Sequence, residues 1–188
     1  SLSRAALGLA LGLFHLSGVL MQPSRMSEDE FVATFGDIFE HTPQIARQAH
    51  QRGLKSAQDT ASGLHEILVS VMREMDRGAK LALIHAHPDL AGRLALSKEL
   101  TEDSTKEQGS AGLDRLTPDE LKKFTTLNDA YRARFGFPFI MAVKGATKDQ
   151  ILAAFERRMA HDVETEFAEA LTQIERIALL RLKDRLPA

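Results

Sequence analysis

Two histidines, a proline and an aspartate lie within five positions of the segment IHAHPDLAG, residues 84–92. Imidazole and carboxylate groups exchange protons and also bind metal ions such as zinc and iron. The segment therefore admits three interpretations. It is a metal half-site, a catalytic histidine at a helix break, or a helix end that carries two ordinary histidines.

The metal interpretation requires His85, His87 and Asp89 to reach one ion. Residues two apart lie on different faces of a helix, and Leu81 with Ile84 predicts that the preceding segment is helical. The pattern therefore disfavours a metal and predicts that His85 is solvated near a helix C-terminus. A metal-dependent hydrolase that uses these three side chains is kept as an alternative function.

His87 differs from His85 because Pro88 follows it. A proline pushes the preceding residue out of the helical region, so His87 is expected at the helix break. It is either a proton-transfer group there or a helix-terminal cation that complements the helix dipole. Asp89 is predicted to be the N-cap of a helix that starts near Leu90 rather than a reactive group.

Two other segments have both a functional and an ordinary interpretation. Ser104 and Glu107 of STKEQ are spaced as a capping box, which would explain both without a function. FGFPFIMAV, residues 135–143, is typical of a helix end followed by core residues. Its backbone N–H and C=O groups must nevertheless find hydrogen-bond partners. Arg176 and Arg181 would ordinarily be solvated residues on a helix face.

The amino-acid composition excludes some classes of ligand and binding partner. The 188 residues include no cysteine, which excludes disulfides and thiolate metal sites. The 24 basic and 26 acidic residues are mixed along the chain, and there is no Trp and only one Tyr. A basic face or stacking platform for nucleic acid is therefore not expected. The composition favours a small molecule or another protein as the partner.

Most of the chain is patterned as helices with explicit start and stop signals. Ser27 with Glu30 and the run Thr117–Glu120 predict helix N-termini, and Gly78 is expected to interrupt an apolar helical stripe. The only extended candidate is 137–143, and the polar stretch 97–117 is predicted to be a functional loop. We predict an all-α, single-domain multi-helix bundle without a significant sheet.

The first twenty residues stand apart, because they are largely apolar but shorter than the roughly 20 apolar residues of a spanning helix. We interpret 1–25 as an N-terminal extension, either an extra helix or a leader, before a domain at 26–188. A targeting segment and a membrane anchor are the alternatives.

Several motifs, taken in chain order, carry a family resemblance. The motifs are FGDIFEHTP at 35–43, HPDLAG at 87–92, STKEQGSAGL at 104–113, LNDAYRARFGFPFIMAVKG at 127–145 and RIALLRL at 176–182. From about Met26 to Leu186 the chain resembles 2-oxo-4-hydroxy-4-carboxy-5-ureidoimidazoline (OHCU) decarboxylases. Gln44 departs from the pattern, which has an aromatic residue after the proline.

The resemblance assigns roles to individual residues. It implies that His87 is the catalytic acid–base and that Glu107 also contributes to catalysis. The implied substrate contacts are Pro88, Ser104, Gln108, the backbone of Phe139, Ile140, Met141, Ala142 and Val143, and the cation of Arg181.

The resemblance also implies an activity, the decarboxylation of OHCU to (S)-allantoin in urate degradation. It implies an all-helical fold, a homodimer, and no cofactor or metal. The expected partner is the small ureidoimidazoline substrate, with neither nucleic acid nor membrane. Because RLPA is not a peroxisomal ending, we expect a cytoplasmic protein. A non-enzymatic helical interaction module is a further alternative.

Overall fold

The computed structural model describes residues 21–92 and 100–188, and these ranges contain eight α-helices and no strand. The prediction of an all-α fold is thereby confirmed, and 137–143 forms neither helix nor strand. The interpretation of residues 1–20 lies outside the described residues. The helices are α1 Glu28–Phe35, α2 Gln44–Gln51, α3 Ala61–Glu74, α4 Arg77–Ala86, α5 Glu102–Ser110, α6 Pro118–Phe135, α7 Lys148–Met159 and α8 Val163–Lys183.

Local capping sets where several of these helices begin. The Ser27 hydroxyl accepts a bond from the Glu30 amide, and the Glu30 carboxylate accepts one from the Ser27 amide. The same reciprocal pair starts α6 at Thr117 and α7 at Thr147. Gly136 ends α6 with a φ of 78°, a left-handed conformation that favours glycine. The helix starts predicted at Ser27 and Thr117 are confirmed.

The last helix, α8, forms the centre of the core. It packs against α3 and α4, while α1 pairs with α2 and α6 pairs with α7. Leu171, Ile174 and Ala178 of α8 are buried among apolar residues of the other helices. No helix of the described ranges has the length and apolar character to cross a membrane.

Two boundaries differ from the prediction. The apolar stripe breaks before Gly78, because Asp76 caps α4 by accepting a bond of 2.7 Å from the Ala79 amide, and Gly78 lies inside the helix. The predicted loop at 97–117 contains helix α5, whose hydrophilic sequence hides its periodicity. Within a compact domain, helix α5 therefore presents polar side chains to the interior.

Candidate functional site

His87 lies at the break that its proline predicts. Helix α4 ends at Ala86, and His87 follows in the extended region with φ −78° and ψ 139°. Its ring is buried, with 6% of the residue exposed, and Nδ1 lies 3.0 Å from the carbonyl oxygen of Leu83. Because a carbonyl only accepts hydrogen bonds, Nδ1 carries the proton of the neutral ring.

Burial sets the protonation state of this histidine. Loss of solvent around the ring lowers the pKa of His87 to about 4, although the Leu83 carbonyl and Glu40 oppose the change. The ring is neutral at pH 7, so the interpretation as a helix-terminal cation is wrong. Nε2 bonds no residue within 21–92 or 100–188 and has the free lone pair of the neutral ring, and His87 lines the pocket.

The three side chains of the metal hypothesis are not brought together. His85 is exposed on α4, whereas His87 is buried. The Asp89 carboxylate accepts bonds of 3.0 and 3.2 Å from Arg132 instead. In the part of the chain that the structure describes, no group of three His or acidic residues is arranged around a metal position.

The loop after His87 is a turn rather than a helix start. Leu90 and Ala91 form this turn, with a φ of 52° at Ala91, so the prediction of Asp89 as the cap of a helix at Leu90 is wrong. The Gln108 side chain accepts a bond of 2.9 Å from the Ala91 amide. Asn128 donates one of 2.7 Å to the Leu90 carbonyl, so buried amides fix the loop that carries His87.

Helix α5 supplies one side of the pocket. It begins after Thr101, whose hydroxyl accepts a bond from the Ser104 amide, so the alternative interpretation of Ser104 and Glu107 as a capping box is wrong. Residues spaced by three or four positions share one helix face. Ser104, Glu107 and Gln108 accordingly line one pocket together.

Arg181 of α8 contacts the same face of helix α5. Its Nε lies 2.8 Å and its Nη2 3.2 Å from the two oxygens of Glu107, a two-bond geometry that fixes both groups. Nη2 also lies 2.9 Å from a carboxylate oxygen of Glu40. Arg181 is buried and Arg176 is exposed, so the geometry selects Arg181 as the cation of the pocket.

The two carboxylates beside Arg181 have opposite pKa shifts. Burial raises the pKa of Glu107, and the bonds from Arg181 offset this only in part. Burial also acts to raise the pKa of Glu40, but Arg181 and the Thr101 hydroxyl together hold that pKa below its ordinary value. Glu40 is therefore the fixed anion, and Glu107 is the carboxyl nearer to protonation.

Phe139, Ile140, Met141 and Val143 also line the pocket. Residues 139–143 follow the end of α6 without forming a helix or strand. Among the described residues, nothing accepts a bond from the amides of Met141 or Val143. Such amides are available to a ligand with carbonyl oxygens. The sequence indicated that the backbone groups of this segment need hydrogen-bond partners, and these two amides have none among the described residues.

These elements line one pocket. Its lining contains ten of the eleven predicted residues, and the roles of all eleven stay predictions. Ala142 is the exception, and its amide donates to Gln173 at 3.0 Å. The lining is His87, Pro88, Leu90, Ser104, Glu107, Gln108, Phe139, Ile140, Met141, Val143, Ile177 and Arg181.

Residues that the sequence reasoning missed are Leu90 and Ile177 in the lining and Glu40 behind it. Glu40 belongs to the FGDIFEHTP motif, but no spacing connects it with Arg181, 141 positions later. Only the packing of helix α8 against the segment that follows α1 brings the two together.

Comparison with known proteins identifies relatives of the chain. Residues 24–183 match the family model described as OHCU decarboxylase. A 2-oxo-4-hydroxy-4-carboxy-5-ureidoimidazoline decarboxylase of Haloferax volcanii is 42% identical over 167 residues, which cover 88% of this chain and 95% of that protein. One of Mus musculus is 34% identical over 170 residues, which cover 90% of this chain and 93% of that protein.

A solved structure is also similar. The crystal structure of (S)-allantoin synthase matches with a TM-score of 0.67 at 31% identity, covering 87% of this chain and 52% of that one. The chain thus spans about half the length of that synthase. These similarities confirm the family resemblance that the motifs carry.

Proposed function

Because the chain belongs to the OHCU decarboxylase family, we propose that it decarboxylates OHCU to (S)-allantoin without a cofactor, as a step of urate degradation. One observation carries the proposal. A buried, neutral His87 presents Nε2 to a pocket that combines the Glu107–Arg181 pair with free backbone amides. That combination suits a small, polar, anionic ring compound.

The chemistry needs no external electron acceptor. When the bond from the ring carbon to the carboxylate breaks, CO₂ leaves and the electron pair forms a C=C bond with the neighbouring carbon. The π electrons of the adjacent C=N bond move to its nitrogen, which takes up a proton. The enol-like intermediate then loses its hydroxyl proton, and the neighbouring carbon gains a proton. One proton is taken up overall. Delivery of the proton to one face of that carbon gives a single enantiomer.

His87 is the group placed for both proton transfers. Its Nδ1 is committed to Leu83, so Nε2 accepts the hydroxyl proton and returns a proton to carbon. The fixed ring allows transfer at one face only. Glu107 and Arg181 hold the polar end of the substrate, and the amides of 139–143 bind its carbonyl oxygens.

The test is the chirality of the product, because OHCU also decays unaided to racemic allantoin. Urate oxidase and hydroxyisourate hydrolase generate OHCU in place, and circular dichroism follows the product. We expect the protein to accelerate the loss of OHCU and to give optically active allantoin. If neither occurs, the proposed function is wrong.

The oligomeric state and the cellular compartment are also part of the proposal. We propose that the protein is a homodimer, as the resemblance implies, and that it acts in the cytoplasm. Light scattering coupled to size exclusion tests the dimer, because a mass near 20.8 kDa would be that of the single chain. Fractionation of the source cells tests the compartment.

We also propose that 26–188 form the catalytic domain and 1–25 an extension. Pro23 is buried, and Ser24 donates bonds of 2.8 and 2.7 Å to Asp59, so a deletion should stop before these residues. Removal of 1–22 is expected to leave kcat/KM within twofold. A large loss of activity would show that the extension contributes to the site.

A further inference from the structure

A buried arginine outside the pocket holds the backbone wall, which we define as residues 139–143. Arg158 of α7 is 1% exposed, and its Nη1 donates a bond of 2.6 Å to the Ile140 carbonyl. The guanidinium also lies over the Phe139 ring, with Cζ 4.2 Å from the ring centroid. Arg158 thus contacts two wall residues without lining the pocket.

The carboxylate of Glu166 holds the Arg158 guanidinium in place. Glu166 of α8 is fully buried and accepts a bond of 2.6 Å from Arg158 Nε. The Tyr131 hydroxyl donates to the same oxygen at 2.7 Å, and His161 Nδ1 lies 2.9 Å from the other oxygen. A buried ion pair contributes little net stability compared with apolar packing. Its several directional bonds do fix the position of the guanidinium.

A second side chain anchors the wall one residue further on. Gln173 of α8 accepts a bond of 3.0 Å from the Ala142 amide through Oε1. Its Nε2 donates to Glu169 at 2.7 Å, which determines the end of the amide group that faces the wall. Alternate wall residues, Ile140 and Ala142, are therefore held from the protein interior.

We propose that Arg158 and Gln173 are positioning residues for the decarboxylation, an inference that rests on the proposed function. By holding Ile140 and Ala142 from behind, they leave the amides of Met141 and Val143 turned to the pocket at fixed positions. These amides bind the ureide carbonyl oxygens that substrate and product share. The two anchors thus act on binding, and His87 acts on proton transfer.

The experiment compares Arg158→Lys and Gln173→Met with the exposed neighbours Arg157→Lys and Arg176→Lys. Lysine keeps a positive charge beside Glu166 but loses the planar fork, and methionine keeps the length of glutamine but loses the amide. KM and kcat for OHCU, the dissociation constant of (S)-allantoin by calorimetry, and Tm are measured for each. Ile45→Val, in the core of α2, controls for lower stability alone.

We expect KM and the allantoin dissociation constant to rise together by about fivefold or more in both anchor variants, with kcat within threefold. The loss of one hydrogen bond of about 1 kcal/mol or slightly more gives a change of this size. Unchanged binding beside a lower Tm, as expected for Ile45→Val, would overturn the inference. If Arg158→Lys does not fold, Gln173→Met decides by the same criterion.

Failure of this inference is distinct from failure of the proposed function. Wild-type protein that does not accelerate the loss of OHCU disproves the function and with it the role of both anchors. Active wild-type protein, together with anchor variants that bind allantoin normally, disproves only the positioning role.

Discussion

The two sides of the pocket differ in chemical character. The charged side, which we define as Ser104, Glu107 and Arg181, presents side chains linked by hydrogen bonds from the Arg181 guanidinium. The backbone wall presents amides that keep the same charge at every pH. Charged side chains and fixed amide dipoles both stabilise a developing charge, and a rigid row of amides also orients the ligand. We expect substitutions on the charged side to change both kcat and binding, and substitutions behind the wall to change mainly binding.

The largest effect is expected at His87, which lies between the two sides. His87→Asn retains size and some hydrogen bonding but exchanges no proton near pH 7. We expect kcat to fall about 10²-fold or more, the usual contribution of an acid–base group, with KM little changed. Steady-state kinetics with OHCU generated in place measures both. A rise in KM at unchanged kcat would make His87 a binding residue only.

A smaller effect is expected from Glu107→Gln, which removes charge from the charged side alone. The bonds to Arg181 lose their ionic character, and a hydrogen bond to a charged group contributes about 1.5–3 kcal/mol. We expect kcat/KM to fall roughly 10- to 100-fold, with kcat lower and KM higher. Equal binding of allantoin by this variant and wild type would contradict a substrate contact at Glu107.

The parts of the site also differ in how far the sequence predicted them. His87 was predictable because Pro88 follows it and excludes a helical conformation. The charged side was predictable only in part, since the helix start at Thr101 decides where Ser104 and Glu107 point. Glu40, Arg158 and Gln173 carry no local signal. Their contacts arise from packing between elements distant in the chain, which periodicity and capping rules do not encode.

A third expectation concerns stability and pH. The pKa of His87 is about 4 in the fold and near 6.5 in an unfolded chain, so the unfolded state binds the proton first as pH falls. The stability from the neutral ring is present above pH 6.5 and is lost as pH falls toward 4. We expect the free energy of unfolding to decrease by about 2 kcal/mol between pH 7 and pH 5 from this group.

Urea denaturation of wild type and His87→Asn at both pH values isolates that contribution, because the remaining ionisable groups are common to the two proteins. The decrease should be smaller in the variant by about the same 2 kcal/mol. Equal decreases in both proteins would mean that His87 is protonated in the fold at pH 5.

The smallest effect is expected at His85, which is two residues from His87 and exposed on α4. His85→Ala changes neither side of the pocket, so kcat and KM are expected within twofold of wild type. Metal content after purification without a histidine tag, and activity with a chelator, provide a parallel check. Stoichiometric metal that is lost in His85→Ala together with activity would revive the metal-dependent alternative.

The most direct measurement compares the circular dichroism of allantoin formed by wild type, His85→Ala and His87→Asn at equal concentration. If His87 delivers the proton from one face, wild type and His85→Ala give the (S) enantiomer. With His87→Asn, OHCU then disappears at nearly the uncatalysed rate and the product is close to racemic. Optically pure (S)-allantoin formed at the wild-type rate by His87→Asn would contradict the account.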